Sequence, residues 1–274
     1  MRLIGKQFRS RTGCERYSVS ATQPMTPRPE IAIEFLHVDY SVTANHALLS
    51  GLDLTVRQHE TLILLGQSGS GKTTTLKLIN RLLVPTRGEV RVEGCSTFAW
   101  DPIRLRRRIG YAVQEVGLFP HYTVEQNVAL VPKAERWENR RIKTRVEEML
   151  ALVDLDHGKF ARRYPHELSG GQRQRVGLAR ALAANPPFLL MDEPFGALDS
   201  ITRAQLQREF NALRKRLGTT VVFVTHDVGE ALLLGDRIAL IENGRCAGVF
   251  SRDEFLASSD DRIRAYRETS RLSA

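Results

Sequence analysis

The chain has 274 residues, of which 42% are hydrophobic and 26% charged, which is the balance of an ordinary water-soluble globular protein of one large domain or two small ones. Its longest apolar runs, such as residues 62–65 and 221–224, fall far short of the ~20 residues a membrane helix needs, and no secretory signal is expected, since the basic N-terminus has no apolar stretch followed by a small-residue cleavage site. The formal net charge of +9 admits nucleic acid, an anionic membrane surface or a solvated basic tail as its cause, and three scattered cysteines (Cys14, Cys95, Cys246) argue against a disulfide framework or a zinc site.

Residues 1–29 carry Arg2, Lys6, Arg9, Arg11, Arg16 and Arg28 against Glu15, show no apolar period and close on Pro24, Pro27 and Pro29. They read as a disordered basic leader, with Met25 as an alternative start. From Ile31 the pattern changes. Ile31, Ile33 and Phe35 alternate with other residues, as do Leu52, Leu54 and Val56, which predicts half-buried strands of an antiparallel sheet. The run at residues 61–65 predicts a buried strand entering a glycine loop. Leu76, Ile79, Leu82 and Leu83 then have helical spacing, and Gly88 opens a strand through Val90 and Val92. Ile142, Val146, Met149, Leu150 and Val153 form one stripe, so residues 121–185 read as mainly helical. A strand at 188–191, a helix with Leu206, Phe210, Leu213 and Leu217 ended by Gly218, and strands at 221–225 and 238–241 complete an α/β alternation that predicts a mostly parallel sheet.

Gly66-Gln67-Ser68-Gly69-Ser70-Gly71-Lys72-Thr73, followed by Thr74, matches the phosphate-loop pattern between a predicted strand and a predicted helix. The glycines let backbone N–H groups turn toward phosphate oxygens at a helix N-terminus. Lys72 is expected to reach the β- and γ-phosphates of ATP and Thr73 to ligate Mg²⁺. The apolar strand 188–191 runs into Asp192, suited to hold Mg²⁺ through water, and Glu193, suited to orient and polarise an attacking water as the catalytic carboxylate.

Leu168-Ser169-Gly170-Gly171-Gln172 resembles the signature sequence of the ABC ATPases, and the likeness covers roughly residues 31–250. The resemblance implies a P-loop NTPase fold of α/β class: a RecA-like, mostly parallel sheet with an antiparallel β-subdomain and an inserted helical subdomain at about 118–185, in a nucleotide-binding domain spanning 30–250 with a helical tail at 251–274. It also implies a head-to-tail homodimer in which Ser169 to Gln172 of one copy grip the γ-phosphate held by the other. Gln114 stands where that family has a glutamine that contacts Mg²⁺ and water. Ala197-Leu198-Asp199 resembles the loop that crosses the dimer interface, His226 the histidine that contacts the γ-phosphate, and Tyr40 the aromatic that stacks on adenine, with Phe35 as the alternative.

Asp101-Pro102, the run 105–111, Gly117-Leu118-Phe119-Pro120-His121, Val131-Pro132-Lys133 and the run 197–203 resemble the branch that imports glycine betaine, choline or carnitine. That likeness implies a separate integral-membrane permease met near residues 114–121, a substrate-binding protein as an indirect partner, and a peripheral position on the cytoplasmic face of the plasma membrane. No nucleic-acid partner is expected, since the soluble ABC proteins of ribosomes and DNA carry two cassettes or a long coiled-coil insertion. Paired CBS domains, common in this branch, are not expected here, nor is regulation through them.

Overall fold

A computed structural model describes residues 31–43, 46–113, 117–196 and 198–271. The basic leader, Gln114 and Ala197 lie outside the described residues, and so does Cys14.

Two sheets organise the chain. The smaller is antiparallel, with the order β2-β1-β4-β5, built from β1 (Ile31–Thr43), β2 (His46–Arg57), β4 (Arg87–Val92) and the short β5 (Cys95–Ser96). Alternation in β1 is broken where its register with β2 shifts, most clearly between Phe35 and Val38. Ile33 and Phe35 face the core, then His37 adopts a left-handed φ of 47° and the register with β2 shifts, so that Val38 returns to the buried side. An extra residue in one strand is a bulge, and here it preserves the apolar face over a long strand.

The larger sheet has the order β10-β9-β3-β8-β7-β6, from β3 (Thr61–Leu65), β6 (Ile109–Ala112), β7 (Phe188–Asp192), β8 (Thr220–Thr225), β9 (Arg237–Glu242) and β10 (Arg245–Ser251). All its pairings are parallel except that of β10 with β9. Every residue of β3, β7 and β8 is buried, which is why these strands read as unbroken apolar runs. Side chains still alternate between two cores. Phe188, Leu190, Val222 and Val224 pack toward the antiparallel sheet, whereas Leu189, Met191, Val221 and Phe223 pack toward the helices.

The helical segment contains α3 (Val124–Val128), α4 (Leu130–Ala134), α5 (Asn139–Leu152), α6 (His157–Phe160), a 3₁₀ turn (Pro165–Glu167) and α7 (Gly170–Leu182). Its apolar stripe on α5, including Ile142, Val146, Met149 and Leu150, closes on α7 residues such as Val176 and Ala179 within the same core. Elsewhere lie α1 (Lys72–Ile79), α2 (Pro102–Arg107), α8 (Ser200–Leu217), α9 (Val228–Leu234), α10 (Arg252–Ala257) and α11 (Asp261–Arg271). No helix among the described residues is long and apolar enough to cross a membrane.

One helix ends earlier than its apolar spacing predicts. α1 stops at Ile79, with Asn80 as its C-cap and Arg81 at a left-handed φ of 54°. Leu82 and Leu83 therefore fall beyond the helix, and Leu82 is 50% exposed. The reason is local hydrogen bonding: the N–H groups of Leu82 and Leu83 both donate back to the Lys77 carbonyl at 2.9 Å, and the Arg106 guanidinium donates to the carbonyls of Asn80 (3.2 Å) and Arg81 (2.7 Å). Such partners satisfy the carbonyls a helix end leaves open.

Phe223 sits fully buried on β8 against Phe195, with ring centroids 5.8 Å apart. Phe223→Ala is expected to cost about 3–5 kcal/mol of unfolding free energy, read from urea denaturation; a loss under about 1 kcal/mol would contradict a close-packed sheet core.

Candidate nucleotide site

At the end of β3 the chain enters the glycine loop. Gly69 and Gly71 take φ values of 82° and 104°, and Gly71 is the N-cap of α1. Both are conformations that residues with a Cβ resist. Gly66 is constrained differently, because a Cβ there would run into the carbonyl oxygen of Ile241 on β9. Gln67, Ser68 and Gly69 are exposed, while Ser70 is buried with its hydroxyl unpartnered, and Thr74 is half-buried on α1.

Lys72 is 5% exposed. Its Nζ donates to the carbonyls of Gly66 (2.8 Å) and Gln67 (2.7 Å), folding the side chain back along the loop. Burial pushes its ammonium pKa down, opposed by the nearby charges of Glu193 and Asp192. The Thr73 hydroxyl donates to Asp192 Oδ1 at 2.9 Å, which joins the first turn of α1 to the end of β7. Asp192 is 6% exposed, and burial raises its carboxyl pKa despite the Thr73 hydrogen bond and the charges of Lys77 and Lys72.

β7 stops at Asp192 because Glu193 turns into the left-handed region at φ 46°. Its N–H still donates to the Val224 carbonyl at 3.1 Å, so the turn is anchored to β8 while the side chain leaves the strand. Glu193 Oε2 lies 3.3 Å from His226 Nδ1, at the end of β8. A left-handed non-glycine residue is a modest strain that persists where surrounding structure imposes it. Parallel strands bring Lys72, Thr73, Asp192, Glu193 and His226 to one carboxyl edge of the sheet, where α/β proteins bind ligands.

The other predicted residues form a second cluster. Ser169 caps α7: its Oγ accepts from the Gln172 N–H at 3.2 Å and its own N–H donates to Gln172 Oε1 at 2.9 Å. Gly170 and Gly171 are the first helical residues, and Ser169, Gly171 and Gln172 line an open cleft with Leu198 and Asp199. Asp199 caps α8 by accepting from the Thr202 N–H at 3.0 Å, and that hydrogen bond holds its pKa below the usual carboxylate value. The capping bonds of Ser169 and Gln172 close on each other, not on the P-loop.

Tyr40 is half-buried on β1, opposite Leu49 of β2. The Leu49 side chain abuts Gly71, 2.6 Å from where a Cβ on that glycine would stand, so Tyr40 is one strand removed from the P-loop. Phe35 is 1% exposed inside the core, and its ring has no face free for a base. The polar residues behind His226, Thr225 and Glu230, were not singled out from sequence. The spacing from Asp227 to Glu230, a cap residue with a glutamate three positions on, was the available signal.

A glycine loop between strand and helix, its buried lysine, and a threonine bound to an acid at the neighbouring strand end define a nucleotide-binding P-loop protein. The ABC transporter family model matches residues 49–196, and the chain belongs to that family. It is 50% identical over 208 residues to the glycine betaine/carnitine/choline transport ATP-binding protein OpuCA of Bacillus subtilis, covering 76% of this chain and 54% of that one. It is also 50% identical over 212 residues to the glycine betaine uptake system ATP-binding protein YehX of Escherichia coli, covering 77% and 68%. The chain thus spans about half the length of the first of these relatives. Among solved structures, the dimeric post-hydrolysis state of the ATP-binding cassette MJ0796 bound to ADP and Pi matches with a TM-score of 0.75 at 33% identity, over 80% of this chain and 98% of that one.

Proposed function

We propose that the chain is the ATP-binding and ATP-hydrolysing subunit of an importer that takes up a quaternary ammonium osmoprotectant through a separate membrane permease. The observation that carries the ATPase reading is the convergence of Lys72, the Thr73–Asp192 pair and the Glu193–His226 pair at one sheet edge. The cargo reading rests on the names of the relatives, which specify glycine betaine, choline and carnitine.

Lys72 exchanges its loop carbonyls for the β- and γ-phosphates. The loop glycines and the start of α1 offer backbone N–H groups to the same oxygens. The Thr73 hydroxyl and the Asp192 carboxylate, 2.9 Å apart, are hard oxygen donors of the kind Mg²⁺ takes, alongside phosphate oxygens. Mg²⁺ held by these two groups would supply positive charge against the phosphate oxygens. Glu193 orients the attacking water and accepts its proton as the water oxygen bonds to the γ-phosphorus and the bond to ADP breaks. His226 donates to the γ-phosphate, and Gln114 belongs to the same group of water and Mg²⁺ contacts. Tyr40 stacks on the adenine.

Two copies pair head to tail, so that Ser169, Gly170, Gly171 and Gln172 of one meet the γ-phosphate held by the other, with Asp199 at the interface. The dimeric state of the MJ0796 cassette supports the pairing of two copies. The permease docks near residues 114–121, on the cytoplasmic face of the plasma membrane, and a substrate-binding protein delivers cargo to it from the other side.

The test is ATP hydrolysis by the chain with its permease and binding protein in proteoliposomes. Glycine betaine, choline or carnitine is expected to stimulate hydrolysis several-fold over taurine and methionine. Stimulation by none of the three, with a solute of another class active, would overturn the cargo reading.

A further inference from the structure

Behind His226, a chain of buried polar side chains runs from the sheet edge into the protein. His226 sits between Thr225, the last residue of β8, and Asp227, the N-cap of α9. Thr225 is 2% exposed, and its hydroxyl accepts from the Asp227 N–H at 3.0 Å while donating to Glu230 Oε2 at 2.6 Å. Asp227 Oδ1 accepts in turn from the Glu230 N–H at 3.1 Å. Both chain neighbours of His226 are thereby fastened to one residue.

That residue is itself held from a distant helix. Glu230 is 7% exposed, and its Oε1 accepts from Gln207 Nε2 at 3.0 Å; Gln207 is 8% exposed and lies on α8. α8 is the helix capped by Asp199, beside the Ser169 cluster. Burial raises the Glu230 carboxyl pKa and Asp227 adds to that, while Thr225, Arg203 and Gln207 oppose it. A buried carboxylate is a costly way to fill a core. Fixing a catalytic side chain through a supporting shell of hydrogen bonds is a use that justifies it.

We infer that Glu230 and Gln207 are positioning residues for His226. The Thr225–Glu230–Gln207 chain fixes the backbone on both sides of the histidine and ties it to α8. The imidazole then meets Glu193 and the γ-phosphate in productive geometry only when the helix that starts at Asp199 is seated. The inference rests on the ATPase reading and adds to it a direct mechanical link from the Asp199 helix to the phosphate-facing histidine.

The test uses the full chain and compares ATP turnover with binding of a fluorescent ATP analogue. Q207M keeps the volume of the side chain but removes its donor, and E230L removes both acceptors. Each is expected to lower kcat roughly tenfold or more, the scale of a small misplacement at a reacting centre, with KM and the analogue Kd within about twofold of wild type. E230Q is expected to keep kcat within about threefold, because its new amide still accepts from Thr225 and Gln207 can rotate to accept from it. In an H226A background, neither Q207M nor E230L is expected to lower kcat further, since all act through the same ring. Normal kcat in a folded Q207M, losses that repeat in full on H226A, or KM and Kd moving in step with kcat would each overturn the inference. If E230L does not fold, T225V and Q207M decide the matter by the same readouts. A wild-type chain that hydrolyses no ATP overturns the ATPase reading together with this inference; an active wild type indifferent to Q207M overturns the inference alone.

Discussion

Glu193→Gln is expected to stop ATP turnover while leaving ATP bound and two copies of the chain held around it. The amide has nearly the shape of the carboxylate, so Asp192, Thr73 and the turn at φ 46° need not move. What disappears is the group that can take a proton from water, and loss of a positioned general base costs about 10²–10⁴ in rate. Binding is affected in the opposite direction. Glu193 pushes up the pKa of Asp192, which means the two carboxylates repel, and removing one negative charge also eases the approach of the phosphates. ATP affinity should hold or rise, and the ATP-bound dimer should persist because hydrolysis no longer ends it. Phosphate release measures the first effect, and light scattering after gel filtration with and without ATP measures the second. Turnover within about threefold of wild type would remove Glu193 from the role of base.

How much of this site could be read from the chain depends on the range of the interactions involved. The P-loop was legible because its function is local: strand, glycines, lysine and helix follow each other within one stretch of sequence, and Gly69 and Gly71 do have the left-handed φ that motivates glycine. The strands β3, β7 and β8 were legible because complete burial writes an unbroken apolar run. β6 was not, since Ile-Gly-Tyr-Ala carries no pattern of its own; Gly110 is there because a Cβ would strike the Ala181 carbonyl of α7, a contact distant in sequence. β10 escaped for the same reason, as its half-buried residues neither alternate nor form an apolar run. The end of α1 was misplaced because apolar spacing continues through Leu83, whereas the helix is closed by Arg106, whose guanidinium no local pattern could bring there. The Glu193–His226 contact lies between these cases: each residue's position at a strand end suggests its role, but their meeting at 3.3 Å is a product of β7 and β8 being parallel neighbours in register.

Lys72→Met separates what the lysine does for nucleotide from what it does for the fold. Lys72 is only 5% exposed, and burial weakens the hold of its ammonium on the proton, so the folded chain carries an energetic cost for keeping a charge there. Two loop carbonyls, Gly66 and Gln67, offset that cost before ATP arrives. Methionine follows the path of the lysine stem and carries no charge, so the desolvation cost disappears along with two hydrogen bonds. These changes oppose each other, and the thermal midpoint without nucleotide is expected to move by no more than a few degrees, equivalent to about 1 kcal/mol. Nothing offsets the loss toward ATP. Truncating one partner of a buried, hydrogen-bonded charge pair costs about 2–5 kcal/mol, so ATP affinity by calorimetry is expected to fall on the order of a hundredfold. The nucleotide-dependent rise in thermal midpoint should vanish with it, because that rise is set by the ratio of ligand concentration to Kd. Wild-type ATP affinity in a folded Lys72→Met chain would mean that the ammonium stays on its loop carbonyls and never reaches the phosphates.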